Sequence, residues 1–229
     1  MPVITVAHEK GGVSKSTSAC EIAVAFMLSG KSVILADTDP QRNALKFALR
    51  REALSPELPR LRAYSVLGPD TGTQIRSFAR DADVVVVDAG GRDNLEMRLA
   101  LLTSHLVITP TTQNPFDLDG LNHMAEVIVQ VRLQNEGLPV WILPARVKPR
   151  ALSATRASIE EKMAQPINPE RENSPPISSV MPIVMRAHLT ERQAFPDAAG
   201  WGRSVREMKP RNSDAVSEVV GVFQEIVNG

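Results

Sequence analysis

The sequence predicts an α/β fold, a single doubly wound domain over residues 1–229 in which helices flank a mostly parallel central sheet. Short β-branched runs alternate with longer segments of helical period, as expected for repeated strand-crossover-strand units. Several of these runs are apolar throughout, which is typical of strands covered on both faces. With 229 residues, 43% of them hydrophobic, the chain can bury one sizeable core.

Seven strands and six helices are predicted from this alternation. The strands are Val3–Ala7, Ser32–Ala36, Arg62–Ser65, Asp83–Val87, Leu106–Thr109, Val140–Leu143 and Val180–Val184. The helices are Lys15–Ser29, Arg42–Leu49, Asn94–Leu102, Leu118–Asn135, Leu152–Met163 and Asp214–Val227. Residues 165–179 hold four prolines and few apolar side chains. They predict a surface loop too poor in apolar residues to pack.

Composition narrows the classes of function. The 26 basic and 26 acidic residues balance, which argues against a globally basic nucleic-acid-binding protein. The single cysteine, Cys20, cannot form an internal disulfide, and the first residues lack a signal-peptide pattern. No apolar run approaches the roughly 18 residues that cross a bilayer. We therefore expect a cytoplasmic protein.

The strongest motif runs from residue 8 to residue 17, between the first strand and the first helix. Gly11 and Gly12 let the backbone curl so that successive N–H groups face one anion, and the helix N-terminus adds further donors. Lys15 is then placed to reach the β- and γ-phosphates of a nucleotide, and the Ser16 hydroxyl to bind Mg²⁺. The alternative is an ordinary glycine-rich turn, which the strand before and the helix after disfavour.

Two further acidic motifs follow strands. Asp37 and Asp39 lie at the end of the second strand, where Asp37 could hold a Mg²⁺-bound water and Asp39 could orient the attacking water. Asp88 ends an apolar strand and could bind Mg²⁺ through water, with Gly90 or Gly91 donating an N–H to the γ-phosphate. The alternatives are an Asp-Pro turn with Asp39 as a helix cap, and Asp88 as a cap of the next helix.

The spelling Lys-Gly-Gly-x-x-Lys-Ser at residues 10–16 resembles the deviant Walker A loop of the ParA/MinD family of P-loop ATPases. Asp37-x-Asp39-Pro40-Gln41 is similar to that family's switch I. Ser14 stands where the family usually has glycine, so a position that favours φ > 0 carries a side chain, and we expect this to affect turnover more than binding.

The resemblance implies a nucleotide site, a cofactor set and partners. Nucleotide contacts are expected from Lys10, Gly11, Gly12, Val13, Ser14, Lys15, Ser16, Thr17, Gly90, Arg146 and Met185, the last two in loops that border the adenine. Catalytic roles fall to Lys10, Lys15 and Asp39, and metal roles to Ser16, Asp37 and Asp88. The implied cofactors are ATP/ADP and Mg²⁺. The implied assembly is a homodimer on ATP, in which Lys10 crosses to the partner's phosphates, stimulated by a cargo-bound ParB-like protein.

Nonspecific DNA is the partner implied for ParA-type relatives. A local basic excess that could neutralise phosphates consists of Arg203, Arg206, Lys209 and Arg211, opposed only by Glu207. A solvated charged face is the alternative. MinD-like relatives instead place a basic amphipathic helix on lipid, but the last helix here has no Lys or Arg, and its apolar residues are expected to pack on the sheet: Val216, Val219, Val220, Phe223 and Val227.

The leading hypothesis is therefore a slow, partner-stimulated ATPase that segregates plasmid or chromosomal DNA and associates with the nucleoid when ATP-bound. Two alternatives remain. One is a positioning ATPase for another cargo, such as a microcompartment, a chemoreceptor cluster or a division inhibitor. The other is a nucleotide-switch regulator that hydrolyses ATP weakly.

Overall fold

Seven parallel strands form one sheet in the computed structural model, which describes residues 2–91 and 93–229. The strands are β1 Val3–Val6, β2 Val33–Asp37, β3 Arg62–Ser65, β4 Val84–Asp88, β5 Leu106–Thr111, β6 Val140–Pro144 and β7 Ile183–Val184. Their order is β3-β2-β4-β1-β5-β6-β7. The predicted α/β fold with a parallel sheet is confirmed.

The register of the central strands aligns their carboxyl ends. Asp37 of β2 pairs with Asp88 of β4, and Asp88 pairs with Val6 of β1 on the other side. Parallel strands all end at the same edge, so the loop after β1 and the acids after β2 and β4 meet there.

Helices cover both faces of this sheet. They are α1 Lys15–Leu28, α2 Asn43–Leu54, α3 Thr71–Asp81, α4 Leu95–Thr103, α5 Pro115–Val131, α6 Leu152–Met163, α7 Ala194–Gly200 and α8 Ser213–Asn228. One face packs α1, α2, α7 and α8 around Phe26, Phe47 and Trp141. On the other face, α5 and α6 enclose Leu121, Met124 and Ile159, while α3 and α4 pack through a smaller cluster around Ile75.

Helices α3 and α7 were not predicted from the sequence. In α3 the buried positions are Thr71, Gly72 and Ile75, a combination with poor intrinsic helix propensity. The short α7 buries only Phe195 and Ala198. Helix α3 nevertheless carries apolar residues at helical spacing, since Ile75, Phe78 and Ala79 all face one core cluster, so its amphipathic pattern was overlooked. Helix α7 is too short for such a pattern and is stabilised by packing on the rest of the fold.

The segment 165–179 is a loop, as predicted, but the expectation that it would not pack is wrong. Ile167 and Ile177 are 5% and 0% exposed and belong to the core cluster beneath α5 and α6. Backbone bonds close the loop, since Ile167 N donates to Pro175 O and Ile177 N to Gln165 O. A segment with few apolar residues packs because the two isoleucines it has lie at its ends.

Helix α8 packs on α1 and the sheet and carries no lipid-facing basic stripe. Val219 is buried, and Phe223 meets Phe26 edge to face at 5.1 Å between ring centroids. Val227 was expected to pack but is 56% exposed, in the last turn of α8. Within the described residues, none of the helices has both the length and the apolarity needed to cross a membrane.

Buried charges attach the segment after α7 to the core. Arg51 of α2 makes a bidentate pair with Glu207 at 2.7 Å for each bond and also donates to the carbonyl of Gly202. Glu21 of α1 accepts hydrogen bonds from Ser204 Oγ at 2.5 Å and Val205 N at 3.1 Å. Burial raises the pKa of Glu21 to about 7, against the lowering effect of these two bonds. Two helices thus hold residues 202–207 through side chains removed from water.

Replacement of Arg51 tests this attachment. Because Arg51 and Glu207 are 1% and 5% exposed, Arg51→Ala leaves a buried carboxylate without its partner. We expect the free energy of unfolding to fall by about 3–5 kcal/mol in urea titrations.

The matched control is Arg60→Ala, since Arg60 pairs with Glu52 at 3.5 Å while 75% exposed. That variant should stay within about 0.5 kcal/mol of the wild type. Equal effects of the two substitutions would contradict the structural role of the Arg51–Glu207 pair.

Candidate functional site

A cavity of about 740 Å³ opens at the carboxyl edge of the sheet, where β1, β2 and β4 end. Predicted residues that line it are Gly11, Gly12, Ser14, Lys15, Ser16, Thr17, Asp39, Gly90 and Arg146. Pro40, Gln41, Asn43, Gly91 and Asn94 complete the lining. The structure thus brings the three sequence motifs to one place.

The loop before α1 presents free backbone donors to this cavity. Among the described residues, none accepts a hydrogen bond from the backbone N–H groups of residues 11–17. Gly12 and Ser14 have φ of 82° and 72°, so the chain curls as the glycine pattern predicted. Seven consecutive unpaired donors at a helix N-terminus form a binding site for an anion such as a phosphate.

The ammonium of Lys15 lies beside these donors. It is 7% exposed and donates to the carbonyl of Lys10 at 2.5 Å. Burial lowers the pKa of Lys15, while the charges of Asp88 and Asp39 oppose this effect. A cation held between acids and a backbone carbonyl is available to a phosphate that enters the cavity.

Asp88 lies beneath the cavity at the end of β4, 1% exposed. Both of its carboxylate oxygens are buried without a hydrogen-bond partner in the described part of the chain. Burial raises the pKa of Asp88 to about 8, although the Ser16 hydroxyl and the charge of Lys15 act to lower it. A buried carboxylate without a partner next to a hydroxyl is the donor set that a hard cation such as Mg²⁺ prefers, so these residues fit the metal.

Asp37 and Asp39 hold the loop after β2. The carboxylate of Asp37 accepts from Asp39 N at 3.0 Å and from Leu45 N at 2.8 Å. Burial raises the pKa of Asp37 despite these bonds. Asp39 accepts from Gln41 N at 2.8 Å and lines the cavity. Asp37 is therefore engaged with the backbone of the loop and the first turn of α2, whereas Asp39 faces the space where a nucleotide would lie.

The two glycines after Asp88 have different neighbours. A Cβ at Gly90 would lie 3.7 Å from both Asp39 Cα and the Thr38 carbonyl, whereas a Cβ at Gly91 would lie 3.1 Å from Lys15 Nζ. Gly90 therefore packs against the loop after β2, and Gly91 packs against the loop before α1, residues 8–14, called the phosphate loop below. Both glycines line the cavity, so a contact of Gly90 with the γ-phosphate stays a prediction.

A second cavity of about 290 Å³ adjoins the first and shares Ser14, Thr17 and Arg146 with it. Its other walls come from the segment after β7: Leu189, Thr190, Glu191, Arg192, Gln193, Phe195 and Pro196. Arg146 donates to the Gly12 carbonyl at 3.1 Å and pairs with Glu191 at 2.5 Å. The predicted residue Met185 is fully buried in the core and does not line either cavity, because its side chain packs beneath the sheet. The walls come from residues further along the chain.

Lys10 and Val13 do not line the first cavity. Val13 is fully buried, while Lys10 is partly exposed beside α5. The backbone of Lys10 is held on both sides: its N–H donates to His8 Nδ1 at 2.9 Å and its carbonyl accepts from Lys15. No role was assigned to His8 from the sequence, and no local pattern marks its contact with α5.

The expected basic surface is smaller than the sequence indicated. Arg203 donates to Ser55 Oγ at 2.8 Å and pairs with Glu57, so it is committed to the protein. Arg206 is half-buried, and only Lys209 and Arg211 of the four are exposed. Glu207 does not oppose them at the surface, because it faces Arg51 in the interior. Lys209 and Arg211 are therefore the exposed cations of the predicted patch.

A protein-family model described as the CobQ/CobB/MinD/ParA nucleotide binding domain matches residues 4–194. The chain belongs to this family. It is a P-loop protein of the ParA/MinD type, a group of ATPases, so the resemblance drawn from the phosphate loop is confirmed.

Relatives of this family differ widely in sequence. The chain is 25% identical to the protein VirC1 of Rhizobium radiobacter over 199 residues, covering 83% of this chain and 84% of that protein. It is 24% identical to a ParA of the same organism over 226 residues, covering 96% and 91% of the two chains.

Solved structures share the fold at lower identity. Apo McdA from Cyanothece superposes with a TM-score of 0.71 at 14% identity, covering 99% of each chain. MinD from Pyrococcus horikoshii, complexed with Mg-ADP, gives 0.65 at 16% identity, covering 98% of this chain and 95% of that one.

The left-handed backbone at Ser14 leads to a prediction. A residue with a Cβ is strained at φ 72°, and the Ser14 side chain makes no capping hydrogen bond in return. We expect Ser14→Gly to raise the free energy of unfolding by about 0.5–1 kcal/mol, measured by thermal or urea denaturation.

Ser14→Ala is the control, because it removes the hydroxyl and keeps the Cβ. It should give no such gain. If Ser14→Ala stabilises the protein as much as Ser14→Gly does, the strain lies elsewhere.

Proposed function

We propose that this protein is a ParA-type ATPase that binds Mg·ATP in the larger cavity, dimerises on ATP, and binds DNA nonspecifically to segregate plasmid or chromosomal DNA. The observation that supports it best is the row of unpaired N–H groups at residues 11–17, which lies beside Lys15 and above the unpaired carboxylate of Asp88. This arrangement provides donors for the phosphates and ligands for the metal.

The phosphates would replace internal contacts of the loop. The N–H groups of residues 11–17 bind the β- and γ-phosphates, and Lys15 moves from the Lys10 carbonyl to the phosphate oxygens. Ser16 and Asp88 would hold Mg²⁺, with Asp37 supporting through the loop after β2. When bound, the metal supplies electrostatic stabilisation of the phosphate charge.

Asp39 would orient the attacking water. Its carboxylate lines the cavity and is tied to Gln41 N, so its direction is set by the turn after β2. A carboxylate at this point can hold a water in line with the γ-phosphate. The smaller cavity would take the adenine, with Arg146 at the boundary between base and phosphates.

Lys10 would complete the site of a second copy. Its side chain runs along α5, outside the lining of its own cavity. In the dimer the Lys10 ammonium would reach the partner's phosphates. We further propose that a ParB-like protein on the cargo stimulates slow hydrolysis, in the cytoplasm and on the nucleoid.

A positioning ATPase for another cargo is the second candidate. The observation that favours it is the reduced basic surface, because only Lys209 and Arg211 of the four predicted cations are exposed. Two phosphate contacts for each copy give weaker DNA binding than four would. A weakly hydrolysing regulator is the third candidate, supported by the strained Ser14.

Dimerisation is tested first. In analytical ultracentrifugation with Mg·ATP we expect the wild type to sediment as a dimer and with ADP as a monomer. Lys10→Ala should remain monomeric with ATP, because the partner's phosphates lose a cation, yet bind ATP itself within about threefold of the wild type.

The matched control is Lys31→Ala, which removes an exposed lysine after α1, away from the loop. It should dimerise like the wild type. Dimers of Lys10→Ala as stable as those of the wild type would refute the crossing lysine.

DNA binding is tested by co-sedimentation with duplex DNA over a salt series. We expect retention with Mg·ATP and release with ADP. Lys209→Ala with Arg211→Ala should lower the slope of log affinity against log salt by about 2 for each copy, or about 4 for the dimer, one for each lost phosphate contact.

The control removes Arg76 and Arg80, two exposed cations on α3, which packs on the opposite face of the sheet. It should leave the slope unchanged. If the wild type does not bind DNA with either ATP or ADP, the positioning ATPase would be favoured over the segregation function.

A further inference from the structure

His8 is buried between the phosphate loop and α5, with no exposed surface. Its Nδ1 accepts the backbone N–H of Lys10 at 2.9 Å, and its Nε2 lies 3.1 Å from the carbonyl of Asp117 in the first turn of α5. Since a backbone N–H can only donate, Nδ1 must be bare and Nε2 must carry the hydrogen. One tautomer therefore satisfies both partners.

The ring has little freedom to move. A Cβ at Gly120 would lie 2.5 Å from His8 Cε1 and 3.2 Å from Nε2, so α5 packs with its backbone directly on the imidazole. The same Cβ would lie 3.2 Å from Lys10 Cγ, which shows that the stem of Lys10 runs along this part of α5. Burial, assisted by the charges of Lys15 and Lys10, lowers the pKa of His8 to about 4, so the ring is neutral at physiological pH.

We propose that His8 is a positioning residue that fixes the Lys10 peptide through Nδ1 and ties the phosphate loop to α5 through Nε2. The Lys10 peptide then has both ends held, its N–H by His8 and its carbonyl by Lys15. When a phosphate takes Lys15 from that carbonyl, the His8 bond remains as the contact that keeps the peptide in place. His8 acts on the phosphates only through Lys10, and it sets the direction in which the Lys10 side chain leaves the loop.

This inference rests on the proposed function for its consequence, the dimer, but its contact can be measured without nucleotide. Two conservative variants each keep one of the two hydrogen bonds. His8→Asn places an acceptor near the position of Nδ1, so it keeps the bond to Lys10 but cannot reach Asp117. His8→Gln places a donor near the position of Nε2, so it keeps the bond to Asp117 but loses the bond to Lys10. His105→Gln is the control, because His105 accepts the backbone N–H of Val3 at 3.1 Å, at the first residue of β1 and away from the loop.

The first readout is amide hydrogen exchange of Lys10 in the nucleotide-free protein, followed by NMR. We expect His8→Gln to speed exchange at Lys10 by roughly tenfold or more, and His8→Asn to leave it within about threefold of the wild type. His105→Gln should leave Lys10 unchanged. Unchanged Lys10 exchange in His8→Gln overturns the proposal.

The second readout is dimerisation by ultracentrifugation with Mg·ATP, with melting temperature measured in parallel. We expect His8→Gln to weaken the dimer by roughly tenfold, while His8→Asn dimerises like the wild type even though it loses the α5 contact. If His8 served only to pack the core, both variants would lose dimer stability in proportion to the fall in their melting temperatures. That result overturns the proposal. If Lys10 exchange responds as expected but the wild type itself stays monomeric on ATP, the His8 contact stands and the proposed dimer fails.

Discussion

The parallel register of β1, β2 and β4 is the constraint on which the site depends. Asp88 is paired with Asp37 on one side and with Val6 on the other, so two carboxylates and the loop after β1 must reach the same edge of the sheet. Burial raises the pKa of both acids; the Ser16 hydroxyl and Lys15 oppose this at Asp88, and the backbone N–H groups of Leu45 and Asp39 oppose it at Asp37. The fold thus holds opposite charges and unpaired donors close together in a place with little water, where electrostatic interactions are strongest.

Much of this arrangement could be predicted from sequence, because it depends on local patterns. Apolar runs predicted the strands, and glycines next to lysine predicted the curled loop. Features that depend on packing between distant segments were not predictable. The sequence predicted a free cation at Arg203, but in the folded chain its side chain contacts Glu57 and Ser55. Met185 stands in the right loop but faces the core. The contact of His8 with Asp117 joins residues 109 positions apart in the chain, and no local pattern indicates it.

The segment after α7 shows how buried polar groups specify a structure. Residues 202–207 contain little apolar surface, yet Arg51 and Glu21 hold them through bonds that water does not replace. A Cβ at Gly202 would lie 2.1 Å from Arg51 N, so the chain passes directly against α2. Such networks add less stability than their number suggests, because each charge loses its hydration, but they permit only one arrangement of the segment. Lys209 and Arg211 therefore follow shortly after a segment whose position is fixed by these buried hydrogen bonds.

Arg146 has a consequence for how the two cavities work. Its guanidinium touches the Gly12 carbonyl in the phosphate loop and Glu191 in the wall of the smaller cavity, and it lines both spaces. One planar cation therefore contacts the walls of both cavities. If the smaller cavity takes the sugar and base, as proposed, the two halves of a nucleotide would share this residue, and their binding free energies would not simply add when the halves are joined.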